Sequence, residues 1–267
     1  MPDSNPHAEH LAEDEESYFV SMTDMMVGML FVFIIMLMSF VLNYRQAENS
    51  YREAEQKKEE VISEITEADQ ARVQMLEKLE SLLKKAGVRV TIDLENGLLR
   101  LPEEILFPSA SDKIKQDGEQ KLAVLAHGLD DVLRCYAYLK GDAQTVAGGN
   151  SCKTNHRLEA VFIEGHTDNI PLTGSAHFAD NWGLSTARAI TIYKKLTSTS
   201  PGLAALVNKR TEPVLSVSGY GENRPVGDNK TEDGRKSNRR IDLRFLMATP
   251  RPKELSIIED KVNSNAP

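Results

Sequence analysis

The most constraining feature of the sequence is a long uncharged segment near its start. Residues 19–42 are apolar or weakly polar, and their only charged side chain is Asp24. As an α-helix this segment would reach roughly 36 Å, whereas the hydrocarbon core of a bilayer is about 30 Å thick. Tyr18 and Tyr44 flank it, where aromatic side chains favour the membrane interface. The sequence therefore predicts a transmembrane helix over residues 18–44.

A cleaved signal peptide is the alternative interpretation of this segment. No basic region precedes the apolar run, the run is longer than a signal-peptide core, and no small-x-small cleavage site follows Leu42. We therefore expect an uncleaved, single-pass anchor. No other run in the chain is long enough to span a bilayer.

Asp24 admits two interpretations. A charge at the centre of a spanning helix costs on the order of 2.5–3.5 kcal/mol, and a position about 7 Å inside the apolar edge costs less. The carboxylate could simply lie near the lipid headgroups. Alternatively it binds and releases an ion, because acids inside membranes commonly mark ion pathways. One helix cannot shield such a site, so the second interpretation implies a partner with several membrane helices.

Composition excludes several classes of function. The formal net charge of −8 argues against a nucleic-acid partner, which would need a basic face. The sequence contains no Gly-rich phosphate loop, no nucleophile elbow and no zinc-type spacing of Cys and His. We therefore predict neither an enzyme nor a bound cofactor.

The segments on either side of the anchor differ in character. Residues 1–17 are acidic and contain two prolines, which predicts a loosely held tail. Residues 45–86 carry charges of both signs without Pro or Gly, which predicts a helical connector that stops at Gly87. This connector has a short apolar seam that either pairs two copies or packs on the domain that follows: Val73, Leu76, Leu79, Leu82 and Leu83.

The hydrophobic period changes after residue 87, which predicts a domain over residues 87–247. VRVTIDL, ENG and LLRLP predict a β-hairpin, and leucines at helical spacing predict a helix from Gly118 to Tyr138. A strand (LEAVFIEG), a helix (Asn181–Leu196) and two strands (VLSVSGY and RRIDLRFLM) follow. This order predicts an α+β fold, a mixed sheet with helices on one face. Residues 248–267 show no pattern and predict a tail.

Three segments of this domain resemble the OmpA-type peptidoglycan-binding domain. They are EGHTDNIPL (164–172), NWGLSTARA (181–189) and GYGENRP with NRRIDLRF (219–225 and 238–245). The resemblance covers about residues 88–247. It implies that Asp168 and Arg188 bind the diaminopimelate of the peptide stem of peptidoglycan.

The chemistry of these side chains fits that ligand. Arg188 offers a planar fork for a carboxylate, and Asp168 complements an ammonium, so together they match a zwitterion. Asn169 and Asn181 could add amide contacts. The alternative is a structural salt bridge between Asp168 and Arg188.

A metal site is an alternative for the same strand. Glu164, His166 and Asp168 alternate, so a continuing strand would put all three on one face. No further ligand is evident from the spacing, and we predict no metal site. Of Arg239 and Arg240, one is expected over the groove or in the sheet, and Trp182 is expected in the packing or at the groove rim.

Cysteine use bears on topology. A disulfide between Cys135 and Cys152 would close a loop of roughly 17 residues, worth about 3 kcal/mol, across the predicted loop KGDAQTVAGGNS. A disulfide and a peptidoglycan ligand both require the periplasm. The basic residues after the anchor, among them Arg45 and Arg52, favour the opposite orientation. We nevertheless expect a protein of the bacterial inner membrane, with its N-terminus in the cytoplasm and its C-terminal domain in the periplasm.

The complete layout resembles the B subunit of flagellar stators, the MotB family. The segment SMTDMMVGML, the acidic tail and the long connector are more similar to ZorB proteins, the B subunits of Zorya anti-phage motors. The resemblance implies that Asp24 carries the ion, with Thr23 beside it, and that two copies sit within five polytopic A subunits (MotA- or ZorA-like). It implies a transported proton, with sodium left open. The alternatives are a flagellar stator and a passive tether between membrane and wall.

Overall fold

The computed structural model describes residues 6–149, 152, 154–172 and 177–249. The chain divides into two compact units, residues 1–60 and residues 61–267, and each is described separately below. One helix, α1 (Pro6–Lys85), supplies the first unit and the beginning of the second.

In the first unit, α1 contains the predicted anchor. Every side chain from Met22 to Glu60 is exposed, and the most apolar window has a mean hydropathy of 2.8. Within the described residues this is the one helix whose length and composition suit a membrane span. The helix begins at Pro6, so the prediction of a loosely held tail over residues 1–17 is wrong for the described part of it. Proline favours the first turn of a helix, and acidic side chains stabilise its N-terminus.

The second unit is built on a five-stranded mixed sheet. Its strands are β1 (Thr91–Asp93), β2 (Leu98–Pro102), β5 (Leu158–His166), β7 (Leu215–Gly219) and β8 (Arg240–Met247). Their order in the sheet is β1-β2-β8-β5-β7. Only β5 and β7 are parallel; the other neighbours are antiparallel. Helices α2 (Gln116–Leu133) and α3 (Asn181–Thr199) pack on each other, and α3 packs on β5 and β7. The predicted α+β class and the β1–β2 hairpin are confirmed.

A second, three-stranded sheet was not predicted. Its order is β4-β3-β6, with β3 (Tyr138–Leu139), β4 (Asp142–Val146) and β6 (Leu206–Val207). Helix α2 ends at Leu133 rather than at Tyr138, and β4 occupies part of the predicted loop KGDAQTVAGGNS. Those two predictions are wrong because tertiary strand pairing overrides a local sequence that is polar and rich in glycine. The structure contains the disulfide between Cys135 and Cys152, which closes this segment.

The apolar seam at the end of α1 packs into the core of its own domain. Met75, Leu76, Leu79 and Leu83 are completely buried, and they share one core cluster with side chains of the sheet. Two predicted seam residues deviate: Val73 is only partly buried and Leu82 is 37% exposed. Of the two alternatives for the seam, the structure shows the intramolecular one.

Leu79 provides a test of this packing. Changing Leu79 to Ala should lower the free energy of unfolding by about 2–5 kcal/mol, because it removes a fully buried side chain from a close-packed core. Urea unfolding of the full chain in detergent, followed by the fluorescence of the single Trp182, measures the loss. The matched control is Leu82→Ala, at a more exposed position three residues away, which should cost under about 1 kcal/mol. Equal effects of the two variants would contradict the described packing.

Candidate functional site

Three of the four predicted ligand-binding residues, Asp168, Arg188 and Asn181, line one cleft of about 480 Å³. The cleft lies beyond the end of β5 and beside the first turn of α3. Its other walls are the segment after β2 and helix α4 (Glu232–Asn238). Among its lining side chains are four ionisable groups on which the site depends: Glu103, Asp168, Arg188 and Arg239.

Two residues, Gly165 and Asp180, allow α3 to begin close to the end of β5. Gly165 lies against the backbone of Ser185, and any Cβ at this position would clash with the Ser185 carbonyl oxygen. Glycine is therefore required where the strand passes the helix. Asp180 caps the N-terminus of α3 by accepting a hydrogen bond from Gly183 N at 2.8 Å. These two features fix the start of α3, and with it Arg188, relative to Asp168.

Asp168 lies two residues after the end of β5 and is 7% exposed. Its Oδ1 accepts a hydrogen bond from the backbone N–H of Ile170 at 3.1 Å. Its Oδ2 accepts one from Arg239 Nη1 at 2.5 Å. Both carboxylate oxygens therefore have a partner inside the domain.

Arg188 lies on α3 and is 2% exposed. Its Nη2 donates to Glu103 Oε1 at 2.6 Å, and its Nε donates to the carbonyl oxygen of Ser111 at 2.9 Å. Its guanidinium carbon lies 5.3 Å from the centre of the Phe107 ring, within the range of cation–π attraction. Burial lowers the pKa of Arg188, and Glu103 opposes this shift. The alternative in which Asp168 and Arg188 neutralise each other is wrong, because each carries a different partner.

The two predicted amide contacts differ in position. Asn181 is buried and lines the cleft, and its Nδ2 donates to the carbonyl oxygens of Asp168 and Ile170 and to Glu222 Oε2. It therefore holds the loop that carries Asp168. Asn169 is exposed and lies outside the set of residues that line the cleft.

The structure separates the roles of the two consecutive arginines. Arg239 lies in the cleft, whereas Arg240 lies in the sheet and donates from Nε to Asp242 Oδ2 at 2.8 Å. Trp182 is 48% exposed, and its ring lies next to Gly221. Sequence reasoning missed Glu103, the buried partner of Arg188. Its signal was an acidic pair immediately after a predicted strand, in the segment LPEE.

The three candidate metal ligands from the sequence, Glu164, His166 and Asp168, do not share one face. Glu164 and His166 lie together inside the sheet, but Asp168 lies beyond the strand end and binds Arg239. The third member of the cluster is instead Asp242, from β8, and the ligand atoms of Glu164, His166 and Asp242 lie within 4.8 Å of one another.

The charges around this buried cluster oppose a cation. Arg244 donates two hydrogen bonds to Glu164, at 2.8 and 3.0 Å. Asp242 accepts from both Arg240 and Arg100, so three guanidinium groups face two carboxylates. Although burial opposes ionisation, the neighbouring His166 and Arg244 hold the pKa of Glu164 at about 2. We interpret the cluster as a structural ion-pair network.

Known proteins similar to this chain include two from Bacillus subtilis (strain 168). Motility protein B is 42% identical over 86 residues, which cover 32% of this chain and 30% of that protein. YtxE is 27% identical over 192 residues, which cover 70% of this chain and 65% of that protein. The matched parts are therefore less than two thirds of either relative.

A solved structure and a family model also match. The crystal structure of a MotB-like protein from Desulfovibrio vulgaris aligns with 68% of this chain and 98% of its own, at 20% identity and a TM-score of 0.49. The OmpA family model matches residues 106–239, half of the 267-residue sequence, and this span contains Asp168, Arg188 and Arg239. The chain belongs to the OmpA family.

Proposed function

We propose that this chain is the ion-conducting, wall-anchored B subunit of a rotary membrane motor. The observation that carries the proposal is the combination of two features in one chain. The apolar segment of α1, which is long enough to cross a membrane, contains a single acid, Asp24, and an OmpA-family domain carries a charged cleft. The similarity to a motility protein supports this combination.

The cleft is the proposed site for peptidoglycan. Asp168 and Arg188 line the same cleft and carry opposite charges, as a zwitterionic diaminopimelate would require. Arg188 is held rigidly by Glu103 and by the carbonyl oxygen of Ser111, so little side-chain entropy is lost when a ligand carboxylate binds. Asn181 acts indirectly, through the loop that carries Asp168.

The proposed topology places the N-terminus in the cytoplasm and the domain in the periplasm. A wall ligand is found only outside the inner membrane, and a disulfide between Cys135 and Cys152 is typical of that compartment. The basic side chains that follow the anchor oppose this orientation by the positive-inside rule. A reporter enzyme that is active only in the periplasm, fused after Met247, would decide between the two orientations.

The motor requires partners that supply the rest of the channel. We propose a polytopic, MotA- or ZorA-like A subunit in five copies around two copies of this chain. Asp24 would carry the proton, or sodium, with Thr23 beside it. One charge crossing 100 mV releases about 2.3 kcal/mol, so repeated transfers can drive rotation.

The work of the motor is proposed to be anti-phage defence of the Zorya type. The segment SMTDMMVGML and the acidic N-terminus support this assignment. A flagellar stator is the second candidate, and the identity shared with motility protein B favours it.

Deletion of the gene in its native host, with plasmid complementation, separates the two candidates. A defence motor predicts that the deletion strain becomes sensitive to phage while its swimming is unchanged. A flagellar stator predicts paralysed cells with unchanged phage sensitivity. A strain that is unaffected in both assays would contradict both forms of the proposal.

A further inference from the structure

Glu103 has one satisfied and one unsatisfied carboxylate oxygen. The side chain is buried, and Oε1 accepts the 2.6 Å hydrogen bond from Arg188. Oε2 is also buried but accepts no hydrogen bond from the part of the chain that the structure describes. A buried acceptor without a donor is costly, and each such atom in a native protein calls for an explanation. Burial raises the pKa of Glu103 despite the opposing charge of Arg188, as expected for an under-solvated carboxylate.

Arg239 lies between this oxygen and Asp168. Its Nη1 donates to Asp168 Oδ2 at 2.5 Å, and its Nη2 donates to Glu232 Oε1 at 3.0 Å. Its Nε lies 4.0 Å from Glu103 Oε2. The two backbones are joined here, because Glu103 N donates to the carbonyl oxygen of Arg239 at 3.1 Å. A shift of about 1 Å would bring Nε within hydrogen-bonding distance of the unsatisfied oxygen.

In the empty cleft, Arg239 pairs with Asp168, the carboxylate that a ligand amine would bind. With Ile170 N on Oδ1 and Arg239 on Oδ2, both oxygens of Asp168 already accept hydrogen bonds. An ammonium that reached Asp168 would also meet the positive charge of Arg239 at close range. Arg239 is 30% exposed, so it has room to move.

We propose that Arg239 is a two-position latch, which pairs with Asp168 in the empty cleft and moves to Glu103 Oε2 when a ligand ammonium takes its place. The inference rests on the proposed function, because it concerns regulation of the wall-binding cleft. The movement relieves the repulsion between the two cations and satisfies the buried acceptor at the same time. Glu103 therefore acts as a positioning residue for two arginines, through Oε1 for Arg188 and through Oε2 for Arg239.

The latch makes an unusual prediction for Arg239. Because Arg239 competes with the ligand for Asp168, Arg239→Gln should bind an amine ligand more tightly than the natural protein does. Glu103→Gln keeps an acceptor for Arg188 but replaces Oε2 by an amide N–H donor, so Arg239 can no longer donate a hydrogen bond to this atom. We expect Glu103→Gln to bind the amine ligand more weakly than the natural protein does. This effect should disappear when Arg239 is also replaced.

The test is a double-mutant cycle by isothermal titration of the full chain in detergent with meso-diaminopimelic acid. We expect about tenfold tighter binding for Arg239→Gln and about tenfold weaker binding for Glu103→Gln. In the Arg239→Gln background, Glu103→Gln should change the affinity less than about twofold. The control is Glu212→Gln, which removes an exposed carboxylate paired with Arg210, outside the residues that line the cleft.

Two results would overturn the latch while leaving the proposed function intact. One is weaker binding by Arg239→Gln, which would make Arg239 a direct ligand contact. The other is an equal effect of Glu103→Gln in both backgrounds, which a merely structural role predicts. If the natural protein bound neither meso-diaminopimelic acid nor isolated cell-wall sacculi, the proposed function would fail and the latch with it.

Discussion

Cells in which Asp24 is changed to Asn are expected to lose the motor phenotype completely and to match the deletion strain. Asparagine has nearly the shape of aspartate but neither ionises nor carries a proton at neutral pH. Each lost transfer removes about 2.3 kcal/mol of driving energy per 100 mV. The assay is phage protection or swimming, whichever the deletion strain lacks.

A second substitution and a second measurement make this result specific. Glu48→Gln removes a carboxylate from the exposed part of α1 beyond the anchor, where it pairs with Arg52, and should leave the phenotype unchanged. Asp24→Asn should also leave the amount of protein bound to isolated sacculi unchanged, because the cleft lies in the other unit. Full activity of Asp24→Asn would contradict a motor and support the passive tether.

Arg188→Met is expected to have the largest effect on the domain itself. It removes the cation that donates a hydrogen bond to Glu103 and leaves this buried carboxylate without a hydrogen-bonded partner. Breaking a buried ion pair from one side typically costs about 3–5 kcal/mol. Urea unfolding followed by Trp182 fluorescence measures the change, and the same variant should fail to bind sacculi.

The double variant Glu103→Leu with Arg188→Met separates stability from binding. It removes both charges, and apolar replacements of a buried pair are often neutral or stabilising. We therefore expect most of the lost stability to return while wall binding remains absent. A loss below about 1 kcal/mol for Arg188→Met alone would show that the Glu103–Arg188 pair contributes little.

The elements that sequence predicted well are those whose periodicity matches their burial. Strand β5 was predicted with its end one residue too early, at Gly165 instead of His166. Its signal was an apolar segment that ends at Gly165, where α3 approaches the strand. Helix α3 was predicted from its first residue, where Asp180 supplies a cap. The β1–β2 hairpin followed from alternation around the Glu95–Gly97 turn.

The missed elements depend on pairing between distant residues. Strands β3 and β6 are two residues long and exist only because they pair with each other and β3 with β4. Such short strands carry no periodic signal. The buried seam of α1 differs from the predicted one, because Met75 is fully buried whereas Leu82 is not. A pattern that considers only valine and leucine overlooks Met75.

The sequence identified Asp168 and Arg188 as candidate binding residues, but it did not identify the side chain that pairs with each of them. Resemblance placed Asp168 and Arg188 in one groove, and the structure puts both around one cleft. The sequence spacing does not show that Glu103 holds Arg188 or that Arg239 holds Asp168, since these partners lie 85 and 71 residues apart along the chain. Long-range ion pairs of this kind become visible only when the strands and helices are assembled.

The most direct test of the central claim is co-sedimentation of the full chain, in detergent, with isolated peptidoglycan sacculi. The natural protein should pellet with the sacculi and be released by an excess of meso-diaminopimelic acid, whereas Asp168→Ala should stay in the supernatant. A natural protein that stays in the supernatant, or an Asp168→Ala variant that pellets equally well, would contradict a wall-binding role for this cleft.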